Sequence, residues 1–315
     1  MKKQIQRNSS MIWKKNCILL MLIFIFILHA NISADTNAGN TGLAFLKIGA
    51  GGRATGMGEA YTAVTNDASA TYWNPAGLVR IEQGEFVFTH NEWFQDISHD
   101  FLGVSFLIGK NAFGISFISN NIGGIERRVK PSAEPLGIID ARDIMLGFSF
   151  ARSYKSNLQW GITVKYLYEK IYLESAYGAA VDLGTIYKSP FQGFSIGAVI
   201  QNVGKMSKFK NEAVKLPTTL KCGLAYELPF QLYGDILIAA DILKILDSAF
   251  YTNFGIEYEL KNLLALRAGY LAGYDERNIQ GGIGLKLSRY RLNYAYAPFT
   301  SDIGNSHRIS FGMKF

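Results

Sequence analysis

The stretch His307-Arg308-Ile309-Ser310-Phe311-Gly312-Met313-Lys314-Phe315 decides the fold. Successive side chains of an extended chain point to opposite faces, so Ile309, Phe311, Met313 and Phe315 share one side and Arg308, Ser310, Gly312 and Lys314 the other. Working outward, Tyr290–Tyr296 repeats the pattern with its aromatics on one side, and in Phe250–Leu260 the residues Phe250, Phe254, Ile256, Tyr258 and Leu260 oppose Tyr251, Asn253, Gly255, Glu257 and Glu259. Further alternating segments fall near 85–91, 98–108, 111–122, 140–154, 158–172, 176–187, 191–202, 218–227, 236–243, 263–270 and 280–287. Together these are about fourteen strands. An even count, strands of about ten residues, 13% aromatic residues and a terminal Phe315 favour an all-β fold: a transmembrane antiparallel barrel with aromatic girdles. A soluble sandwich would also alternate, but those features fit it less well.

Connection lengths agree. Such barrels have short periplasmic turns and longer outer loops. With the first strand running outward, the inner turns are Gly109-Lys110, Lys155-Ser156-Asn157, Lys188-Ser189-Pro190, Lys261-Asn262 and Ser288-Arg289, all tight. The outer connections include Gly123–Ile139, Val203–Pro217, Leu271–Ile279 and Pro298–Ser306. Leu173–Ser175 is short for an outer loop and Leu228–Asp235 long for an inner turn. The face opposite the apolar one is rich in Gly, Ser and Ala and lightly charged, which argues against a wide, charged ion channel and fits an interior filled in part by a plug or contacting apolar material.

Residues 1–34 read as a secretory signal peptide. Lys2, Lys3, Arg7, Lys14 and Lys15 precede an apolar run from Ile18 to Leu28, too short for a confident membrane helix, and small residues follow at Ala30 and Ala34. Removing those five basic residues leaves 27 Lys+Arg against 25 Asp+Glu. The pI of 9.2 is therefore mostly the leader's, and no nucleic-acid partner is expected. Beyond the leader only Cys222 remains, so no internal disulfide staples the exported chain. The organisation expected is a signal peptide over 1–34, a separate N-terminal segment over 35–84 and a barrel over 85–315.

That segment contains the run Gly49–Leu78, GAGGRATGMGEAYTAVTNDASATYWNPAGL, unlike anything after it. It is rich in small residues and closes on Asn74-Pro75-Ala76-Gly77, a helix-stop and turn signal. Its Gly49–Ala54 glycines mimic a dinucleotide loop but lack a βαβ unit and an acidic partner. From Arg53 to Leu78 the run resembles the N-terminal signature of the PorV/PorQ family, within the wider FadL-like class of outer-membrane barrels. The resemblance implies a short-helix hatch inside or under the periplasmic end of the barrel, in the bacterial outer membrane. It implies two alternative tasks: handling cargo protein in type IX-like secretion with secretion-machinery subunits, or uptake of hydrophobic compounds such as long-chain fatty acids.

Arg53, Glu59 and Asp67 are the charged residues of this hatch. They either cap short helices and pair with wall charges or take part in gating. Tyr72 and Trp73 either pack on the inner wall or touch a hydrophobic ligand, and Asn74 begins the turn. Phe315 is the candidate assembly signal. Glu126-Arg127-Arg128 and the Lys205–Lys215 stretch fall in outer loops as solvated runs or partner surfaces. His29, His90, His99 and His307 show no metal-ligand spacing, Asp140 and Asp143 suit turn chemistry, and no catalytic arrangement stands out. No enzyme, metal or cofactor is expected; lipid is.

Overall fold

The computed structural model describes residues 41–93, 97–131, 134–210, 212–228, 234–246, 248–300 and 304–315. The leader expected over 1–34 lies outside them, as do residues 35–40 of the 35–84 segment.

The strands are β1 (Glu85–Glu92), β2 (Ile97–Ile108), β3 (Asn111–Arg127), β4 (Gly137–Lys155), β5 (Leu158–Ile171), β6 (Glu174–Lys188), β7 (Phe194–Met206), β8 (Lys208–Phe209), β9 (Glu212–Ala213), β10 (Thr219–Leu228), β11 (Gly234–Ile245), β12 (Phe250–Leu260), β13 (Leu264–Ala272), β14 (Ile279–Leu287), β15 (Tyr290–Pro298) and β16 (Asn305–Lys314). All but the short β8–β9 pair join one closed antiparallel barrel of fourteen strands. The seam joins β1 to β16, running from Glu85↔Lys314 to Glu92↔His307. Closure removes the sheet edge that a membrane would otherwise leave unsatisfied.

The period-two reading sets the faces. In β16, Arg308 is fully buried while Ile309 is 53% exposed, and Ser310 is 2% exposed while Phe311 is 40% exposed. The outward side chains, such as Ile115, Phe148, Leu183, Ile238 and Ile283, form the lipid belt. At the end with the short turns, Phe106 meets Phe113, Phe113 meets Phe150 and Phe150 meets Trp160 at ring distances of 5.4–5.6 Å, a girdle across β2 to β5.

The structure corrects two expectations. First, the connection expected over Gly123–Ile139 is largely strand. Pairing of β2 with β3 ends at Ile97↔Ile122 and of β4 with β5 at Ala141↔Ile171, yet β3 and β4 continue together from Ile125↔Ile139 to Arg127↔Gly137. The register shifts between Ile122 and Ile125, where Gly124 takes a positive φ of 71°. The glycine pair that reads as a strand end is a bulge that lets the ladder resume. With 17 and 19 residues, β3 and β4 exceed the ~9–11 needed to cross a bilayer, so this two-stranded ribbon projects past the rim.

Second, the inner face is not lightly charged. Glu85, Asp143, Lys165, Asp182, Asp241, Glu257, Arg267 and Arg308 are all buried within it. Each strand contributes few charges, so no single strand reads as charged. The barrel gathers them.

What meets this inner face is the segment before β1. Its elements are a 3₁₀ turn at Ala44–Lys47, a short α-helix at Gly52–Gly56, a turn of helix at Ala70–Trp73 and a 3₁₀ helix at Pro75–Arg80. Nearly every residue from Gly49 to Leu78 is buried, and Leu43, Phe45, Met57, Tyr61 and Trp73 share a hydrophobic cluster with the wall residues Phe101, Ile118, Met145 and Leu167. Many inward glycines mark where its backbone touches the wall. A Cβ at Gly184 would lie 2.0 Å from Asn74 Oδ1, and one at Gly269 would lie 2.0 Å from the Gly58 nitrogen. Gly269→Val should therefore displace the Met57–Glu59 turn, at roughly 1–3 kcal/mol for an overpacked site. Its measure is a lower temperature for loss of the compact gel band, and an unchanged band would refute the close approach.

Candidate functional site

The site is the joint between this segment and the inner wall. Arg53, on the Gly52–Gly56 helix, donates from Nε and Nη2 to Glu257 of β12 at 2.9 and 2.7 Å. The second Glu257 oxygen also accepts from Arg267 Nε of β13, so one buried carboxylate bridges two guanidiniums. Arg53 Nη1 reaches Asn66 Oδ1 at 2.6 Å and the Tyr61 hydroxyl at 3.1 Å. Burial pushes the Tyr61 hydroxyl up, so it stays protonated and donates to Asp67 at 2.9 Å.

Glu59 sits in a left-handed turn (φ 61°) and pairs with Arg277 at 3.2 Å and Arg308 at 3.8 Å. Arg308 also donates to Gly49 O at 2.7 Å and Thr55 Oγ1 at 2.6 Å. Asp67 bonds within the segment, accepting from the Ser69 nitrogen at 3.0 Å. Asp241 of β11 accepts from the backbone nitrogens of Tyr61 and Thr62 at 3.0 and 2.9 Å. Asn74 caps the 3₁₀ helix by accepting from Ala76 N, and donates to Thr62 O at 2.9 Å and to Thr185 O of β6 at 3.2 Å. At the short-turn end Arg80 donates to Ala63 O at 2.7 Å and pairs with Glu227 at 3.6 Å.

Tyr72 and Trp73 stand edge to face, with ring centroids 5.0 Å apart. The Tyr72 hydroxyl donates to the carbonyls of Leu46 and Ile48 at 3.0 and 2.9 Å, and Trp73 Nε1 donates to Ala50 O at 2.7 Å. One side of this aromatic pair lines a cavity of about 220 Å³ bounded by the long-connection ends of β7, β10, β11 and β12. The six sequence-predicted positions thus share one joint: Arg53, Glu59 and Asn74 contact the wall, Asp67 orders the segment, and Tyr72 and Trp73 bound the cavity. The wall partners Asp241, Glu257, Arg267 and Arg308 carry no local motif, and their one signal is being charged on an inward face.

Phe315 lies at the seam, apart from this joint. Its nitrogen donates to Gly84 O at 2.8 Å and its ring covers that glycine. Among the described residues no group of His, Cys, Asp or Glu has metal-binding geometry, and no helix is long and apolar enough to cross a membrane.

The sequence profile of the family described as "Type IX secretion system protein PorV" matches residues 31–250. The chain belongs to the PorV family. Its fold is also that of known outer-membrane barrels. The Ralstonia pickettii toluene transporter TbuX superimposes with a TM-score of 0.60 at 14% identity, covering 85% of this chain and 98% of that one. The monoaromatic hydrocarbon channel CymD gives 0.62 at 13% identity with the same coverages, and a Pseudomonas aeruginosa FadL homologue gives 0.50 at 13% over 90% and 99%. Comparison with curated protein sequences returned no match. This PorV-family chain is an outer-membrane barrel of the transport and secretion class and not an enzyme.

Proposed function

We propose that this barrel handles exported protein as cargo in type IX-like secretion and does not pass solute straight through its lumen. The observation that carries this reading is the tethering of the Gly49–Leu78 segment. Ion pairs and side-chain hydrogen bonds hold it to β6, β11, β12 and β16, and nearly all of it is buried. A segment bound on so many sides is costly to displace for each passing molecule. Arg53, Glu59, Asp67 and Asn74 act in this reading as seating residues that keep the barrel shut. Contact with a large partner then falls to the raised side, where the β3–β4 ribbon exposes Leu136 and Ile138 beside Arg127 and Arg128. A projecting two-stranded ribbon, whose outer edges have left their barrel neighbours, offers strand edges as well as side chains to a partner.

Uptake of hydrophobic compounds is the second reading, favoured by the similarity to toluene and monoaromatic hydrocarbon transporters and by the cavity beside Tyr72 and Trp73. Affinity capture through the intact protein separates the two. Cargo handling predicts retrieval of exported proteins sharing a C-terminal domain, reduced at least fivefold when residues 124–138 are replaced by a short turn. Loss of that capture in the wild type, together with slowed growth of a gene deletion on hydrophobic carbon sources, would favour uptake.

A further inference from the structure

We infer that the cavity at the long-connection end is a binding site for a carboxylate carried on a short apolar or aromatic body. Lys221 lies on β10, at the wall of this cavity. Four other inward cations each pair directly with an acid: Lys165 with Asp182 at 2.6 Å, Arg267 with Glu257, Arg291 with Glu85, and Arg308 with Glu59. Lys221 has no ion pair or hydrogen bond among the described residues. Its ammonium lies 4.8 Å from the centre of the Trp73 ring, at the cavity wall. A ring face attracts a cation but accepts none of its three N–H groups as a carboxylate would.

The surroundings select the sign of the ligand. Lys221, Arg277 and the exposed Lys47 border the cavity against one carboxylate, Glu59, which attracts Lys221 but is already paired with Arg277 and Arg308, while Asp241, the next acid acting on Lys221, is held by the backbone nitrogens of Tyr61 and Thr62. That leaves the Lys221 ammonium without a direct carboxylate partner beside partly apolar walls, where an anion is held more strongly than in open water. The walls select the rest of the molecule. Leu243, Ile245 and Tyr251 line the space together with Tyr72 and Trp73. At about 220 Å³ the cavity is smaller than the ~300–1,000 Å³ of drug-sized pockets, so it suits a body the size of one or two residues and not a long acyl chain.

Two sources present this chemistry: the C-terminal residue of an exported polypeptide, which rests on the cargo reading above, and a free short-chain or aromatic acid, which does not. Both are tested by calorimetric titration of the purified protein in detergent micelles. The probes are N-acetyl-alanyl-phenylalanine with its C-terminal amide, and 3-phenylpropionate with 3-phenylpropanol. At least one acid should bind ten times or more tighter than its neutral counterpart. Lys221→Met, which keeps the stem and removes the charge, should erase that preference, and Lys221→Arg should keep it. Retention of the compact unheated gel band shows that each variant is folded. Preference for the peptide acid alone assigns a polypeptide terminus, and preference for phenylpropionate alone assigns a free acid. No preference in the wild-type protein, or one that survives in folded Lys221→Met, overturns the site. If exported proteins are not captured while the acid preference persists, the cargo reading falls and the site stands.

Discussion

Glu257→Leu should release the lumenal segment from the barrel wall without dissolving the barrel. The substitution leaves Arg53 and Arg267 facing each other with no carboxylate between them. Removing one partner from a buried ion pair costs on the order of 3–5 kcal/mol, chiefly because the remaining charge stays desolvated. Arg53 would keep Asn66 and Tyr61, whereas Arg267 Nη1 already lacks a hydrogen-bond partner, so the strain falls first on the wall residue. The backbone ladder of β12 with β11 and β13 does not involve the side chain and should persist. The measurement is limited proteolysis of the detergent-solubilised protein. New cleavage between Arg53 and Arg80 is expected in Glu257→Leu, with the compact unheated band retained. Glu259→Gln is the matched control, because the Glu259–Lys286 pair is nearer the rim and half-buried. Pairs of that kind contribute about 0–1 kcal/mol. Equal protease resistance of Glu257→Leu and the wild type would show that the Arg53–Glu257–Arg267 bridge does not hold the segment in place.

The barrel was legible in the sequence because one physical constraint repeats in every strand: an apolar side chain must face lipid at alternate positions. His307–Phe315 states it in nine residues, and neither the fourteen-strand count nor the tight turns required anything beyond short-range pattern. The joint was only half legible. Arg53, Glu59 and Asn74 stand out because they are polar residues in a small-residue run. Their partners lie far along the chain, with Arg53 and Glu257 separated by 204 residues, and no local pattern connects them. The inward glycines misled for the same reason. Gly184 and Gly269 suggest a bland surface, whereas their lack of a Cβ makes room for Asn74 and Gly58. Gly123-Gly124 misled in the opposite direction, since a bulge and a strand end use the same residue. Lys221 was invisible: a lysine on an inward face carries no signal until its missing partner can be seen.

Phe315→Ser should lower the amount of assembled barrel far more than Lys314→Ser, although the two residues are adjacent. The seam between β1 and β16 is what closes the sheet, and its final rung pairs Glu85 with Lys314. Beyond that rung the Phe315 nitrogen adds one backbone bond to Gly84 O, and the ring lies so close that a Cβ on Gly84 would sit 2.5 Å from its Cε2. The ring is 59% exposed toward the surroundings of the barrel, at the end carrying the Phe106–Trp160 girdle. It therefore anchors the last strand at the membrane boundary while covering the seam. Losing the transfer free energy of such a side chain costs about 1.5–3 kcal/mol, equivalent to roughly tenfold or more in the assembled fraction. Lys314 makes a 3.4 Å contact with the exposed Glu82, and a surface pair of that kind contributes about 0–1 kcal/mol. Phe315→Trp should assemble normally, because it keeps an aromatic ring at the boundary. The readout is the ratio of compact to heat-denatured band in outer-membrane fractions. Equal ratios for Phe315→Ser and Lys314→Ser would deny Phe315 its role in closing and assembling the barrel.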